Sequence, residues 1–262
     1  ITVTVICHGH TGQLAFIFVA AGVGNSEVAP GAETAPRRAL AIYAHPDDPD
    51  VSCGGTLARW AAAGSEVHVC LCCDGDKGSL DPAVDSKTLV LDRRHETEAA
   101  GRALGVEAHH WLGFRDGEVD DSAELRSQLV ALVRGIRPDA VLAPDPTAVF
   151  FGSNYINHRD HRVVGWAVLD AVSPAAANPH YFPGSIEAYQ VPVLYLSGTL
   201  EPDTWVDITA TIETKATALA CHTSQIGVGG EWLGNAVRER AEETGRIAGV
   251  PYAEAFRKVV LA

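Results

Sequence analysis

The run Ala39-Leu40-Ala41-Ile42-Tyr43-Ala44 is apolar at every position and stops abruptly at His45-Pro46-Asp47-Asp48. A strand apolar on both sides is one buried in a parallel sheet between two layers of helices. Proline fixes φ and has no amide to pair, so the chain must turn at once beyond the strand. In open α/β sheets the crevice beyond the strands' carboxyl ends is where ligands bind. The pattern therefore predicts a Rossmann-like sheet and a polar crevice that receives His45, Asp47 and Asp48.

Neighbouring residues alone cannot surround an ion, so a metal site needs a second group from far along the chain. Asn157-His158-Arg159-Asp160-His161 supplies one. If this segment opens a helix continuing through Val163 to Val172, the rings of His158 and His161 fall on one face. His45, His161 and Asp48 form a set of two nitrogens and one carboxylate oxygen suited to zinc, with the fourth position left for water. The same ligands accept ferrous iron. Asp160 is available to orient a histidine. Alone, His-Pro-Asp-Asp reads equally well as a turn whose aspartate caps the next helix, and a lone His-x-x-His as surface decoration. Together, one after a core strand and one leading a later helix, they point to an open and therefore catalytic metal centre.

Ala44-His45-Pro46-Asp47-Asp48 with His158-Arg159-Asp160-His161 resembles the zinc-dependent N-acetylglucosaminyl deacetylases of the PIG-L/LmbE family. Further pieces fall in the family's order: Gly75-Asp76-Lys77-Gly78, Arg93-Arg94-His95-Glu96, Leu104-Gly105-Val106, Leu112 to Gly117, and Lys215 with His222-Thr223-Ser224-Gln225. The likeness spans about residues 37 to 262. It implies that His45, Asp48 and His161 bind the metal, that Asp47 is the general base, and that His158 is the general acid or electrostatic partner. Arg93 and Asp116 are the implied sugar-binding residues. Two positions depart from the pattern: many relatives have proline in place of Arg159, and some have tyrosine in place of Ile156. Tyr155 or another residue then supplies that hydroxyl.

Amide hydrolysis at neutral pH needs a strong nucleophile, and zinc lowers the pKa of its water from about 16 to about 7. Asp47, beside a ligand but not needed as one, is free to take that proton. A protonated His158 would stabilise the charge that gathers on the carbonyl oxygen and protonate the leaving amine. An Asp160–His158 hydrogen bond would raise the histidine's pKa and keep it charged. The expected function is removal of an N-acetyl or similar small acyl group from a 2-amino sugar of a small glycoside or glycoconjugate. The alternatives are an amidase of a thiol conjugate on the same fold and a catalytically silent metal- or sugar-binding module. Retention of Asp47 argues against the silent module. A nucleotide-dependent oxidoreductase would need Gly-x-Gly-x-x-Gly after the first strand, where this chain has His-Pro-Asp-Asp. A zinc phosphoesterase with two bridged metals would want more ligands than these clusters supply.

The 262 residues, 47% hydrophobic, suffice for one large α/β domain, a single mostly parallel sheet flanked by helices. With 20 Lys and Arg against 33 Asp and Glu, the net charge is −13. Nucleic acid and anionic membrane are therefore poor partners, and a small amino sugar is the expected one; a homo-oligomer stays open. Cys70, Cys72 and Cys73 lie in the apolar run 67–73 and read as small core residues, the first two facing one side and Cys73 the other. Cys7, Cys53 and Cys221 are scattered, the count of six cysteines fits a reducing compartment, and the cytoplasm is expected.

Residues 1–36 read as an N-terminal extension, a β-hairpin over Ile1 to Ala21 followed by a linker, with the deacetylase domain over 37–262. The apolar run there is too short to span a bilayer, and no basic residue precedes it as a signal peptide would require. With no methionine at position 1, the start reads as processed, engineered or incomplete. His8 and His10 are not expected to be ligands. From Arg38 the expected order is strand, helix 54–63, the cysteine strand, a helix through Arg93 to Leu104, strand 109–112, helix 122–136, strand 140–143 and a long loop to Asn157. Edge strands at 193–197 and 205–209 and helices at 212–223 and 232–248 complete it. His222 is expected to pair with a helix dipole.

Overall fold

A computed structural model of the chain describes residues 2–8, 14–19, 34–226 and 231–261. Two short strands, β1 (Thr2–His8) and β2 (Leu14–Val19), pair antiparallel as a sheet of their own. The side chains of His8 and His10, and the expected linker as far as residue 33, lie outside the described residues.

The body of the chain is one seven-stranded sheet between two layers of helices. Strand β3 (Arg38–Tyr43) leads into helix α1 (Asp48–Ala62), then β4 (Glu66–Cys73), α2 (Ser86–Leu104), β5 (Ala108–Phe114), α3 (Ala123–Ile136) and β6 (Ala140–Pro144). A two-stranded ribbon, β7 (Phe150–Phe151) with β8 (Tyr155–Ile156), precedes α4 (Arg159–Asp170). Next come β9 (Val193–Ser197), β10 (Thr204–Asp207), α5 (Ile212–Leu219), α6 (Thr223–Ile226), α7 (Glu231–Ala248) and β11 (Ala253–Val260). The sheet order is β10-β11-β9-β6-β3-β4-β5, and the five strands β3, β4, β5, β6 and β9 run parallel.

The apolar run alternates between two cores. Ala39, Ala41 and Tyr43 face the layer that holds Leu57 and Trp60 of α1, whereas Leu40, Ile42 and Ala44 face Leu129 of α3 and Val164 and Val168 of α4. The chain progresses from β3 outward through β4 to β5 and then crosses to β6 on the other flank of β3. That reversal opens a crevice between the carboxyl ends of β3 and β6. Helices α1 and α4 start at this end from opposite faces of the sheet. Gly165 lets α4 sit close: a Cβ there would lie 2.6 Å from the Pro144 carbonyl oxygen.

Several expectations are corrected. Helix α1 starts at Asp48, six residues before Gly54, because Pro49 suits the first helical turn and the glycines are tolerated inside it. Gly55 has a packing reason, since a Cβ would meet Ile208 Cδ1 at 2.7 Å. Strand β9 is not an edge strand; it lies between β6 and β11. Strand β11 has no counterpart in the expected order: it runs antiparallel to both β9 and β10. Cys73 does not face away from its neighbours. A register shift between Leu71 and Cys73 on the β5 side returns it to the core shared with Cys70 and Cys72. No described helix is long and apolar enough to cross a membrane.

Candidate metal centre and active-site cavity

Three side chains bring their donor atoms together at the crevice. His45 Nδ1 lies 3.1 Å from His161 Nε2, His161 Nε2 lies 3.1 Å from Asp48 Oδ1, and His45 Nδ1 lies 3.3 Å from Asp48 Oδ2. Ligands at the usual zinc–nitrogen and zinc–oxygen distances, about 2.0–2.2 Å, are separated by about 3.3 Å along a tetrahedral edge. The triangle is therefore the size that one such ion requires.

The opposite edge of each ring fixes its orientation. His45 Nε2 faces Asp160 Oδ2 at 3.2 Å, and His161 Nδ1 faces the Asn157 side-chain oxygen at 3.1 Å. Both carboxylate and amide oxygens are acceptors, so the outer nitrogens keep their protons and a bound ion would meet His45 Nδ1 and His161 Nε2. Asn157 is itself anchored through its amide nitrogen to the Ala148 carbonyl oxygen at 2.8 Å. Sequence reasoning assigns Asn157 no role; it precedes the N-cap of α4, so no helical spacing points to it, and only its place at the head of the histidine cluster marks it.

The charges here call for a cation. Burial opposes a charged His45, but Asp48 and Asp160 outweigh it and raise its pKa to about 10. Burial likewise opposes ionised Asp48, yet His161 and His45 hold it well below the carboxylate range. Asp48 also occupies the first turn of α1, where the helix dipole favours a negative charge. His158 joins His45 and His161 in a second donor set able to hold an ion, its ring centroid 4.8 Å from that of His45. It is more exposed, and its Nδ1 accepts the Asp160 amide at 3.3 Å as the cap of α4.

Asp160 takes a different partner from the one expected. Its Oδ2 is on His45, not His158, from which it is 3.6 Å away, and it also accepts the Gly117 amide. The reason is the cap: with His158 Nδ1 turned to the α4 backbone, the buried Asp160 carboxylate points across to β3. The pKa of His158 is consequently lowered, by burial and by His45 and His161, not raised. A capped neutral His158 carries its proton on Nε2 and acts as a hydrogen-bond donor.

Asp47 sits at the N-cap of α1, but its carboxylate makes no capping bond. Its Oδ1 instead accepts from Arg93 Nη2 at 2.9 Å. The guanidinium of Arg93, 3% exposed, lies 3.8 Å from Asp116 and 3.3 Å from the Gly75 carbonyl oxygen. Asp116 in turn accepts the amides of Gly75 and Lys77. Both residues thus border the cavity while holding the 75–78 loop and Asp47 in place. The cavity measures about 380 Å³, and Phe151 and Tyr155 form an aromatic wall beside the histidines.

Behind α1, His222 Nε2 bonds Asp50 Oδ2 at 2.6 Å and is 1% exposed, so a buried side-chain pair replaces the expected helix-dipole contact. Burial lowers the pKa of His222, but Asp50 more than reverses this and the net shift is upward. A raised folded-state pKa stabilises fully below the unfolded value, about 6.5, and the contribution is lost as pH climbs through the folded value. The urea-midpoint advantage of the wild type over His222→Gln should therefore shrink from about pH 6.5 upward. A constant advantage would mean that the pair carries no proton-linked stability.

Comparison with known proteins places the chain among sugar deacetylases by similarity. Residues 40–172 match the GlcNAc-PI de-N-acetylase (PIG-L) family. The diacetylchitobiose deacetylase of Thermococcus kodakarensis is 32% identical over 228 residues, covering 85% of this chain and 83% of that protein. The 1D-myo-inositol 2-acetamido-2-deoxy-alpha-D-glucopyranoside deacetylase of Mycobacterium sp. strain KMS is 30% identical over 235 residues, 73% of this chain and 75% of that one. The structure of N,N'-diacetylchitobiose deacetylase from Pyrococcus horikoshii superposes with a TM-score of 0.78 at 32% identity, covering 86% and 84% of the two chains.

Proposed function

The chain belongs to the GlcNAc-PI de-N-acetylase (PIG-L) family, and from that premise we propose that it is a zinc-dependent hydrolase that removes an N-acetyl or similar small acyl group from a 2-amino sugar. The observation that carries this reading is the triangle of His45, Asp48 and His161 donors, with a further carboxylate, that of Asp47, on the adjacent residue and held by Arg93.

In this reading His45, Asp48 and His161 hold the ion, and Asp160 and Asn157 fix the two rings. A bound zinc ion supplies Lewis acidity and a water whose pKa lies near neutrality, about 7. Asp47 takes the proton from the attacking water, steadied by Arg93. His158 Nε2–H donates to the acyl oxygen as negative charge gathers there. Once Asp47 is protonated it is the acid nearest to hand for the leaving amine, so one carboxylate serves as base and then as acid. Arg93 and Asp116, both bordering the cavity, contact the sugar. The family relatives act on N-acetylated glucosamine compounds, by their names, and the cavity has room for one sugar and a substituent.

The test is amine release from N-acetylglucosamine and N,N'-diacetylchitobiose before and after chelation, followed by return of single metals. Activity that disappears on chelation and returns with zinc is the expected outcome. Undiminished amine release from metal-free protein, or none from either sugar by the metal-loaded protein, would reject the reading.

A further inference from the structure

Three lysine or arginine side chains line the cavity: Lys77, Arg93 and Arg240. Two are engaged by the protein. Lys77 donates to the Asp116 carbonyl oxygen at 2.6 Å and pairs with Glu118 at 2.5 Å. Arg93 pairs with Asp47 at 2.9 Å. The Arg240 guanidinium makes no hydrogen bond or ion pair among the described residues; only its backbone carbonyl oxygen is used, accepting from Thr244 Oγ1.

The acidic group acting on Arg240 is Glu254. Its oxygens are already taken by the amides of Gly55 and Thr56 and by Lys215 Nζ, at 2.6–2.9 Å, and Lys215 balances its charge. Burial holds the pKa of Arg240 below the ordinary arginine range, but a guanidinium stays charged at neutral pH. Arg240 is half-buried, so its guanidinium is only partly hydrated, and native chains normally give such a group a counter-charge. Arg240 is also well fixed, because Val237 and Ala241 on either side of it in α7 are buried in the core. A planar guanidinium matches a carboxylate or phosphate bidentately. On a chain of net charge −13 a local cation beside the metal centre favours an anionic ligand in the cavity.

We propose that Arg240 binds an anionic group, a carboxylate or phosphate, carried by the amino-sugar substrate in the same cavity as the histidines. The amino-sugar part of this ligand rests on the deacetylase reading above. The charge-binding part rests on Arg240 alone.

Calorimetric titration of the metal-loaded protein with glucosamine, glucosamine 6-phosphate and muramic acid tests it. At least one of the two anionic sugars should bind about tenfold or more tightly than glucosamine, and which one does so identifies phosphate or carboxylate as the preferred group. Arg240→Leu should abolish that preference and Arg240→Lys should keep part of it. Equal binding of all three sugars by the wild type overturns the proposal without recourse to any variant. A preference that survives in Arg240→Leu overturns it too, since another group, such as the metal, would then hold the anion. Failure of the protein to release amine from N-acetyl sugars would reject the deacetylase reading separately, through an assay that does not involve this comparison.

Discussion

Asp47→Asn is expected to lower kcat for amine release by about 10²–10⁴-fold while leaving the metal in place. The substitution keeps the volume and the acceptor for Arg93 but removes the ability to carry a proton. Beyond its pair with Arg93, which an asparagine oxygen can still accept, Asp47 has little structural role to lose: it makes no capping bond, its side chain is 15% exposed at the cavity, and it is not one of the three converging donor groups. Arg93→Met should act through Asp47, releasing the carboxylate from the 2.9 Å contact that aims it. Its effect should be much smaller in the Asp47→Asn background than in the wild type, because the two residues form one unit. A rise in KM with unchanged kcat for Asp47→Asn would show that the residue only binds substrate.

The second large effect is on stability. Glu254→Ala is expected to cost about 3–5 kcal/mol, because it strands the Lys215 ammonium in the core. For a domain of this size that is a fall in Tm of roughly 6–20 °C. Glu254 is 5% exposed, accepts the amides of Gly55 and Thr56 inside α1 and meets Lys215 Nζ at 2.6 Å. Lys215 also donates to the Val51 carbonyl oxygen, one turn earlier in the same helix. The pair thus pins α5 and β11 to the helix that begins with Asp48. The double variant Glu254→Ala with Lys215→Leu should recover part of the loss, since removing both members of the pair no longer strands the Lys215 ammonium. A single-variant cost below about 1 kcal/mol, or a double variant worse than either single, would contradict this account.

These two sites also mark how far the chain can be read without its structure. The apolar run ending in His-Pro-Asp-Asp identifies the sheet and the crevice, because a strand buried on both faces leaves an unbroken apolar signature. The helix led by His158 to His161 is legible from its spacing. What local pattern does not reveal is any interaction that depends on a long-range partner. Strand β11 contains Glu254, Arg257 and Lys258 and so lacks the apolar signature of a central strand. The buried Glu254 makes sense only once Lys215 and α1 surround it. Asp160 reads as the partner of His158, two residues away, yet the fold turns it to His45, 115 residues distant in sequence. Arg240 stands in an amphipathic helix among several charged neighbours, and nothing in the sequence separates it from Arg238, which pairs with Glu213.

The central claim is that His45, Asp48 and His161 hold one catalytic metal ion and that His158 does not share in holding it. Elemental analysis of the purified wild type, Asp48→Ala and His158→Ala proteins, each shown to be folded, tests this most directly. About one zinc per chain in the wild type and in His158→Ala, with most of it lost in Asp48→Ala, is the predicted result. Metal retained in Asp48→Ala but lost in His158→Ala would contradict it and move the ion to the three-histidine set.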